Sequence, residues 1–249
     1  MARVISVLSG KGGVGKTFFS ANVSAALSDL GKKTVAVDLD VGLRNLDLAL
    51  GMQDSSPFDL ADVVSGETPV EKAIAVHPLH NNLYFLGGAQ FADFSDLSEE
   101  GLEKLIEGFK EEYEYIVIDC PAGVGRGFKV AAKLCDSAVL VTTPETSAVR
   151  DCERTASLLR ECGVNDIYLA VNRVRPKEIK KSWLLNIDDI IDTVGVKLLG
   201  LIPEDPAVAV RYNRGELAVD CKKAKKQAIA VKNIAKRITG AKTPLYRFW

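Results

Sequence analysis

Gly10-Lys11-Gly12-Gly13-Val14-Gly15-Lys16-Thr17 is the stretch that decides the fold of this 249-residue chain. It follows an apolar run, Val4-Ile5-Ser6-Val7-Leu8, and precedes a segment whose apolar residues Phe19, Val23, Ala26, Leu27 and Leu30 recur at helical spacing. The loop is therefore expected between a strand and a helix. With so little side chain in it, successive backbone N–H groups can turn toward an anion, and the positive end of the following helix adds its field. A nucleotide phosphate chain fits such a cradle. The glycines alone leave two readings, because Gly10, Gly12 and Gly15 also have the spacing of a dinucleotide fingerprint and Asp38 stands where a ribose-binding carboxylate would. Lys16 and Thr17 separate them: an ammonium for the terminal phosphates and a hydroxyl for Mg²⁺ serve a triphosphate rather than a pyrophosphate. A glycine-rich turn without a ligand would account for the glycines but not for the Lys-Thr pair.

Working outward, Lys33-Thr34-Val35-Ala36-Val37-Asp38 reads as a short buried strand followed by an acidic segment running to Asp47. In an open parallel sheet ligands bind at the carboxyl edge, which brings Asp38 and Asp40 toward the phosphate loop. There they can hold Mg²⁺ through water or orient the water that attacks the γ-phosphate. For Asp38, capping of the helix that follows is an almost equal alternative. Gly42 after Asp40 suggests a mobile switch instead of a fixed cap. Tyr115-Ile116-Val117-Ile118-Asp119 is an uninterrupted apolar run ending in an acid, the pattern of a central parallel strand that delivers Asp119 to the loop as a water-mediated Mg²⁺ partner. Pro121-Ala122-Gly123 follows as a second switch, and the Gly123 amide is expected to be free for the γ-phosphate. Further strands are expected at 82–87, 136–142, 168–173 and 197–202. Helices are expected from Ser98, over the stretch from Trp183 to Ile191, and from Ala218 to Thr239. Asn172 ends one of these strands, where its amide can pair with a purine ring, and the backbone of Pro203-Glu204-Asp205 can line the same base pocket. The unbroken alternation argues for a single doubly wound α/β domain with a mostly parallel sheet, spanning 1–240, with 241–249 as a separate tail.

Composition limits the alternatives. A formal net charge of −1 and 47% hydrophobic residues describe a globular chain with material for a sizeable core, and nothing in them points to disorder. No apolar run approaches the roughly 20 residues of a membrane span. The first residues enter a strand directly, so a cytoplasmic protein is expected. The five cysteines are odd in number and form no Cys-x-x-Cys pair, which points to buried reduced thiols. His77 and His80 have His-x-x-His spacing but flank Pro78 without helical phase, a weak case for a metal site.

Lys11, a second lysine inside the loop, makes the run from Lys11 to Thr17 resemble the deviant Walker A loop of the MinD/ParA family of dimeric ATPases. The resemblance extends through Asp40-Val41-Gly42-Leu43-Arg44-Asn45-Leu46-Asp47, Asp119-Cys120-Pro121-Ala122-Gly123, the stretch from Thr142 to Asp151, Val171-Asn172-Arg173, and Ile202-Pro203-Glu204-Asp205 with Asn213-Arg214-Gly215-Glu216 beyond. Gly42-Leu43 resembles the cell-division branch, since partitioning members usually carry Pro-Gln there. The resemblance implies a P-loop NTPase fold, ATP and Mg²⁺, and slow partner-stimulated ATP hydrolysis. It further implies Lys11 reaching the partner's phosphates across a nucleotide-sandwich homodimer, Lys16 and Asp40 as the other catalytic groups, Arg173 beside Asn172 at the nucleotide, and Asn45 and Gly123 as dimer and switch positions. The implied role is control of septum placement with a division inhibitor of the MinC kind and a topological regulator of the MinE kind or a polar scaffold. Two departures stand out: Phe18 and Phe19 replace small hydroxyl residues, and Val124-Gly125-Arg126 replaces Ile-Glu-Gln.

The tail carries Leu245, Tyr246, Phe248 and Trp249 beside Lys242 and Arg247, a composition suited to an anionic membrane surface. Pro244 leaves room for at most one helical turn, so attachment is expected to be weak per chain and to need doubling in a dimer. The expected location is thus the cytoplasm and, in the ATP form, the inner face of the membrane. The competing readings are a DNA-partitioning ATPase of the same family, which the missing Pro-Gln and the aromatic tail disfavour along with nucleic-acid binding, and a metabolic phosphoryl-transfer or amide-forming enzyme.

Overall fold

The computed structural model describes residues 2–42, 44–89, 94, 97–212, 214–221 and 225–245, without the Ala209 side chain. In chain order the elements are β1 (Arg3–Leu8), α1 (Lys16–Asp29), β2 (Thr34–Asp38), α2 (Leu46–Leu50), α3 (Leu60–Val64), α4 (Val70–Ala73), β3 (Ala75–Val76), β4 (Leu83–Leu86), α5 (Glu99–Glu112), β5 (Tyr115–Asp119), α6 (Arg126–Leu134), β6 (Ser137–Thr142), α7 (Thr146–Glu161), β7 (Ile167–Val174), α8 (Pro176–Lys180), α9 (Ile187–Val194), β8 (Lys197–Pro203), α10 (Pro206–Tyr212) and α11 (Lys225–Ile238), with a 3-10 turn at Ala218–Asp220 before α11.

Among the described residues the strands form one eight-stranded sheet in the order β3-β4-β2-β5-β1-β6-β7-β8. All pairings are parallel except the short edge pair β3–β4. β1 lies at the centre because it is apolar on both sides: Val4 and Leu8 join the core on one face, Ile5 and Val7 the core on the other. The first core is covered by α5, α6, α7 and α9, the second by α1, α2 and α11. From β1 the chain crosses to β2 on one side, whereas from β6 it proceeds to β7 on the other. That reversal opens a crevice at the carboxyl ends of β1 and β6, where the loop from Gly10 to Gly15 sits.

α1 is enclosed on most of its circumference, between the sheet and the helices α2 and α11. Of its buried serines, Ser24 meets its hydrogen-bonding need within the helix, its Oγ donating to Ser20 O at 2.8 Å. The chain departs from expectation in three places. Trp183 to Leu185 are not helical; Asn186 accepts from Asp189 N and starts the helix at Ile187, leaving Trp183 69% exposed. Ala218–Asp220 form a 3-10 turn instead of opening the last helix, which is described over Lys225–Ile238 and buries Gln227, Ala230 and Ile234 together with Val231, Ala235 and Ile238. Edge strand β3 was not expected, because two residues offer no periodicity to read.

The two histidines are structural. His77 accepts from Leu79 N at Nδ1 and so presents Nε2–H to Leu50 O, while His80 contacts Asp29 and Asp220 through its two ring nitrogens at 2.9 and 3.1 Å. Among the described residues no group of three His, Cys, Asp or Glu side chains is arranged to hold a metal. The cysteines are all free, Cys120, Cys152 and Cys221 buried. No helix among the described residues is long and apolar enough to cross a membrane.

Candidate nucleotide site

Strand β1 ends and the loop turns sharply into α1 through Gly13 and Gly15, at φ of 80° and 92°. Gly15 could not be another residue: besides its left-handed backbone, a Cβ there would lie 2.2 Å from Asn172 Nδ2. Gly10 is equally constrained, with an added Cβ 2.4 Å from the Asp151 carbonyl of α7. The loop is clamped from outside by Asn172 at the end of β7, whose Nδ2 donates to Val14 O at 2.9 Å. The Asn172 Oδ1 accepts from Arg173 N, and Arg173 takes a φ of 52°. One donor and one acceptor position of the Asn172 amide are therefore already taken, half of what pairing with a purine ring could use.

Register places Asp38 of β2 opposite Asp119 of β5, and Val7 of β1 on the other side of Asp119. Asp119 is fully buried; its Oδ1 receives Lys16 Nζ at 3.2 Å and Ser20 Oγ at 2.7 Å, and its Oδ2 has no hydrogen-bond partner. Burial works against the Lys16 ammonium, but Asp119, Cys120 and Asp40 hold its pKa above the usual lysine value. Asp38 is placed differently from Asp40. Both of its oxygens are occupied by backbone, Oδ1 accepting from Asp40 N and Oδ2 from Leu46 N at the start of α2, so it caps and braces the first switch. Burial and the neighbouring Asp119 push Asp38 up to about 7. Asp40 is half-buried on the cavity wall; burial raises its pKa, with Lys16 opposing.

These elements surround a cavity of about 790 Å³. At the phosphate end it is lined by Ser9, Gly12, Gly13, Gly15, Lys16, Thr17, Asp40, Asn45 and Ala122. Phe18, Asn172, Arg173, Glu204, Asp205, Pro206, Val208, Tyr212 and Gln227 complete the lining. Lys11 is exposed, its Nζ donating to Ser147 Oγ on α7 at 3.0 Å. The Gly123 amide is not free here, contrary to expectation: it donates to Ser9 O at 3.0 Å, which ties the second switch to the end of β1. Asp205 Oδ1 accepts from Ala207 N at the start of α10, and the Glu204 side chain is held by Arg175 at 3.2 Å. The two phenylalanines separate, Phe19 into the core and Phe18 into the cavity wall beside Tyr212, ring centroids 6.4 Å apart. Of the membrane residues expected in the tail, Leu245 is 38% exposed, while Tyr246, Phe248 and Trp249 lie outside the described residues.

Sequence reasoning missed Ser20 and Gln227. Ser20 was within reach, one helical turn after Lys16 and thus on the same face. Gln227 carried no signal, because a polar residue on an amphipathic helix reads as solvent-facing.

The donor set fits a Mg²⁺-nucleotide. The glycine cradle leaves room for phosphate oxygens, and the orphaned Asp119 Oδ2 lacks the donor that an ion-bound water would supply.

A family model described as ParA, NUBPL iron-transfer P-loop NTPase, matches residues 1–239. The septum site-determining protein MinD of Synechocystis sp. is 41% identical over 248 residues, covering 100% of this chain and 93% of that protein. The MinC:MinD cell division protein complex of Aquifex aeolicus superposes with a TM-score of 0.91 at 36% identity, over 100% of both chains. MinD from Pyrococcus horikoshii, complexed with Mg-ADP, superposes with a TM-score of 0.86 at 34% identity, over 96% of each chain. With the family model matching residues 1–239 and 41% identity running over the full length, this chain belongs to the ParA family of P-loop NTPases and, within it, to the MinD group.

Proposed function

We propose that this chain is an ATP-driven switch that dimerises around bound nucleotide, rests on the inner face of the cell membrane in that state, and governs where the division septum forms. The observation that carries the reading is the Lys16–Asp119 pair beneath a glycine cradle, opening on a cavity with Asp40 on its wall. The Pyrococcus relative's Mg-ADP supports nucleotide and Mg²⁺ as the bound pair, and the Aquifex complex supports a MinC-like partner.

Lys16 exchanges Asp119 for the terminal phosphates when nucleotide enters, keeping an anion against its ammonium throughout. Thr17 and, through water, Asp119 would hold Mg²⁺, with Asp38 bracing the switch from behind. Bound there, the ion neutralises charge building on the phosphate oxygens during transfer. Asp40, half-buried, holds a water in line with the γ-phosphate and accepts its proton. Lys11 leaves Ser147 to reach the nucleotide of a second chain. Loss of the γ-phosphate removes the contact that keeps both switches in their ATP form, and the dimer separates.

Co-sedimentation with phosphatidylglycerol-containing vesicles, in ATP and in ADP, tests the whole reading when the full chain is compared with one ending at Gly240. Pelleting only in ATP, lost on truncation, is the expected result. Salt-sensitive retention of DNA by the ATP form without lipid binding would favour the partitioning alternative.

A further inference from the structure

The side chain of Asp119 is held by one oxygen. Its Oδ1 receives Lys16 Nζ at 3.2 Å and Ser20 Oγ at 2.7 Å, and these are its donors among the described residues. The two differ in how easily they can leave. Lys16 lines the cavity and carries its charge at the tip of a flexible four-carbon stem. Ser20 stands one turn further along α1, fully buried, with a hydroxyl that cannot reach beyond its own turn. Its backbone is tied as well, because Ser20 O accepts from Ser24 Oγ at 2.8 Å. The hydroxyl has a single proton and two acceptors in range, Asp119 Oδ1 and Lys16 O at 3.2 Å. The carboxylate is nearer and charged, so it takes the proton's hydrogen bond.

We propose that Ser20 is a positioning residue that lets Lys16 leave Asp119 when phosphate arrives, by staying on Oδ1 as the carboxylate's remaining donor. The proposal rests on the nucleotide reading above and adds what releases the lysine. Moving Lys16 to a phosphate replaces one anion by another at the ammonium, so the cation loses little. The cost falls on Asp119, a charge closed to solvent at 0% exposure. Nor can the carboxylate follow the lysine, since β5 is paired at that residue with Val7 on one side and Asp38 on the other. With Ser20 in place the carboxylate keeps a charge-assisted hydrogen bond, which counts for more once no ammonium shares the oxygen. Without it, Lys16 is the sole partner of a buried charge and is held back from the nucleotide. The hydroxyl therefore stabilises the nucleotide-bound form more than the empty one, and its removal reads out as lost affinity.

The test is calorimetric titration of the full chain with Mg-ADP, which avoids turnover, repeated on Ser20→Ala and Ser20→Cys, each checked for folding by circular dichroism. Cysteine keeps a side chain of similar size but donates poorly, so it separates hydrogen bonding from packing and stands alone where the alanine variant does not fold. Both variants should bind about ten-fold more weakly than the wild type. Unchanged affinity in a folded Ser20→Ala overturns the proposal. So does a loss in Ser20→Ala with wild-type affinity in Ser20→Cys, which would make Ser20 a packing residue only; either result leaves nucleotide binding intact. A wild type that does not bind Mg-ADP overturns the nucleotide reading and this proposal with it.

Discussion

The two ends of the cavity are built differently. The phosphate end is main chain: one glycine-rich loop, one helix start and strand termini that the sheet register brings side by side. The rest of the lining is side chains gathered from afar, Phe18 of α1, Asn172 of β7, Tyr212 of α10 and Gln227 of α11. A site made of backbone has to be contiguous in sequence, since consecutive N–H groups must converge on one anion. A site made of side chains has no such requirement. The phosphate end is consequently rigid and common to a whole family of folds, and the base end is where one member can differ from another.

The comparison breaks most readily at Lys16. Lys16→Ala should abolish Mg-ATP binding by calorimetry. It should also lower stability by roughly 3 kcal/mol in urea unfolding, because Asp119 is left buried opposite no cation. A variant that still bound nucleotide would mean that the base end, not the phosphate end, supplies most of the affinity. Asp40→Ala should come next, cutting steady-state ATP turnover by about 10²-fold or more with binding kept, so that the nucleotide-bound dimer accumulates in gel filtration. Turnover unchanged in that variant would remove Asp40 from the chemistry. Asn172→Ala touches both ends at once, freeing Val14 O and Arg173 N. A loss of about ten-fold in ATP affinity is expected.

The smallest effect lies in the joint between the ends. His80 bridges Asp29 at the end of α1 and Asp220 in the turn leading to α11. The hydrogen bond to Asp220 raises its pKa against the cost of burial, with Asp29 adding to the rise, while burial and His80 itself lower that of His77. Because the folded value of His80 lies above the unfolded value of about 6.5, its contribution is fully present below that pH and is lost as pH climbs through the folded value. Thermal melts should therefore fall on going from slightly acid to mildly alkaline buffer, with buried Asp38 adding to the fall and His77 opposing it, and His80→Asn should reduce the fall by about 2 °C. A steeper trend in the variant would contradict the assignment.

What could be read from residues alone follows the same division. The loop from Gly10 to Thr17, the apolar runs of β1, β2 and β5 and the acids at their ends were legible because each is a local pattern with a physical purpose. Asp38 left two roles open; in the fold both of its oxygens accept from backbone, one of them from Leu46 N, a contact that depends on where the start of α2 comes to rest. Gly123 was expected to offer its amide and instead donates it to Ser9, a contact between segments more than a hundred residues apart. Trp183 fitted a helical stripe until Asn186 capped a later start. Gln227 was illegible in principle: only the packing of α11 on β8 and α1 turns that polar position inward.

The most direct trial of the account is titration of the well-folded full chain with Mg-ATP in a calorimeter. Saturable heat corresponding to one nucleotide per chain is the predicted result. No heat of binding would mean that the glycine loop, with Lys16 and Asp119 beneath it, holds no nucleoside triphosphate.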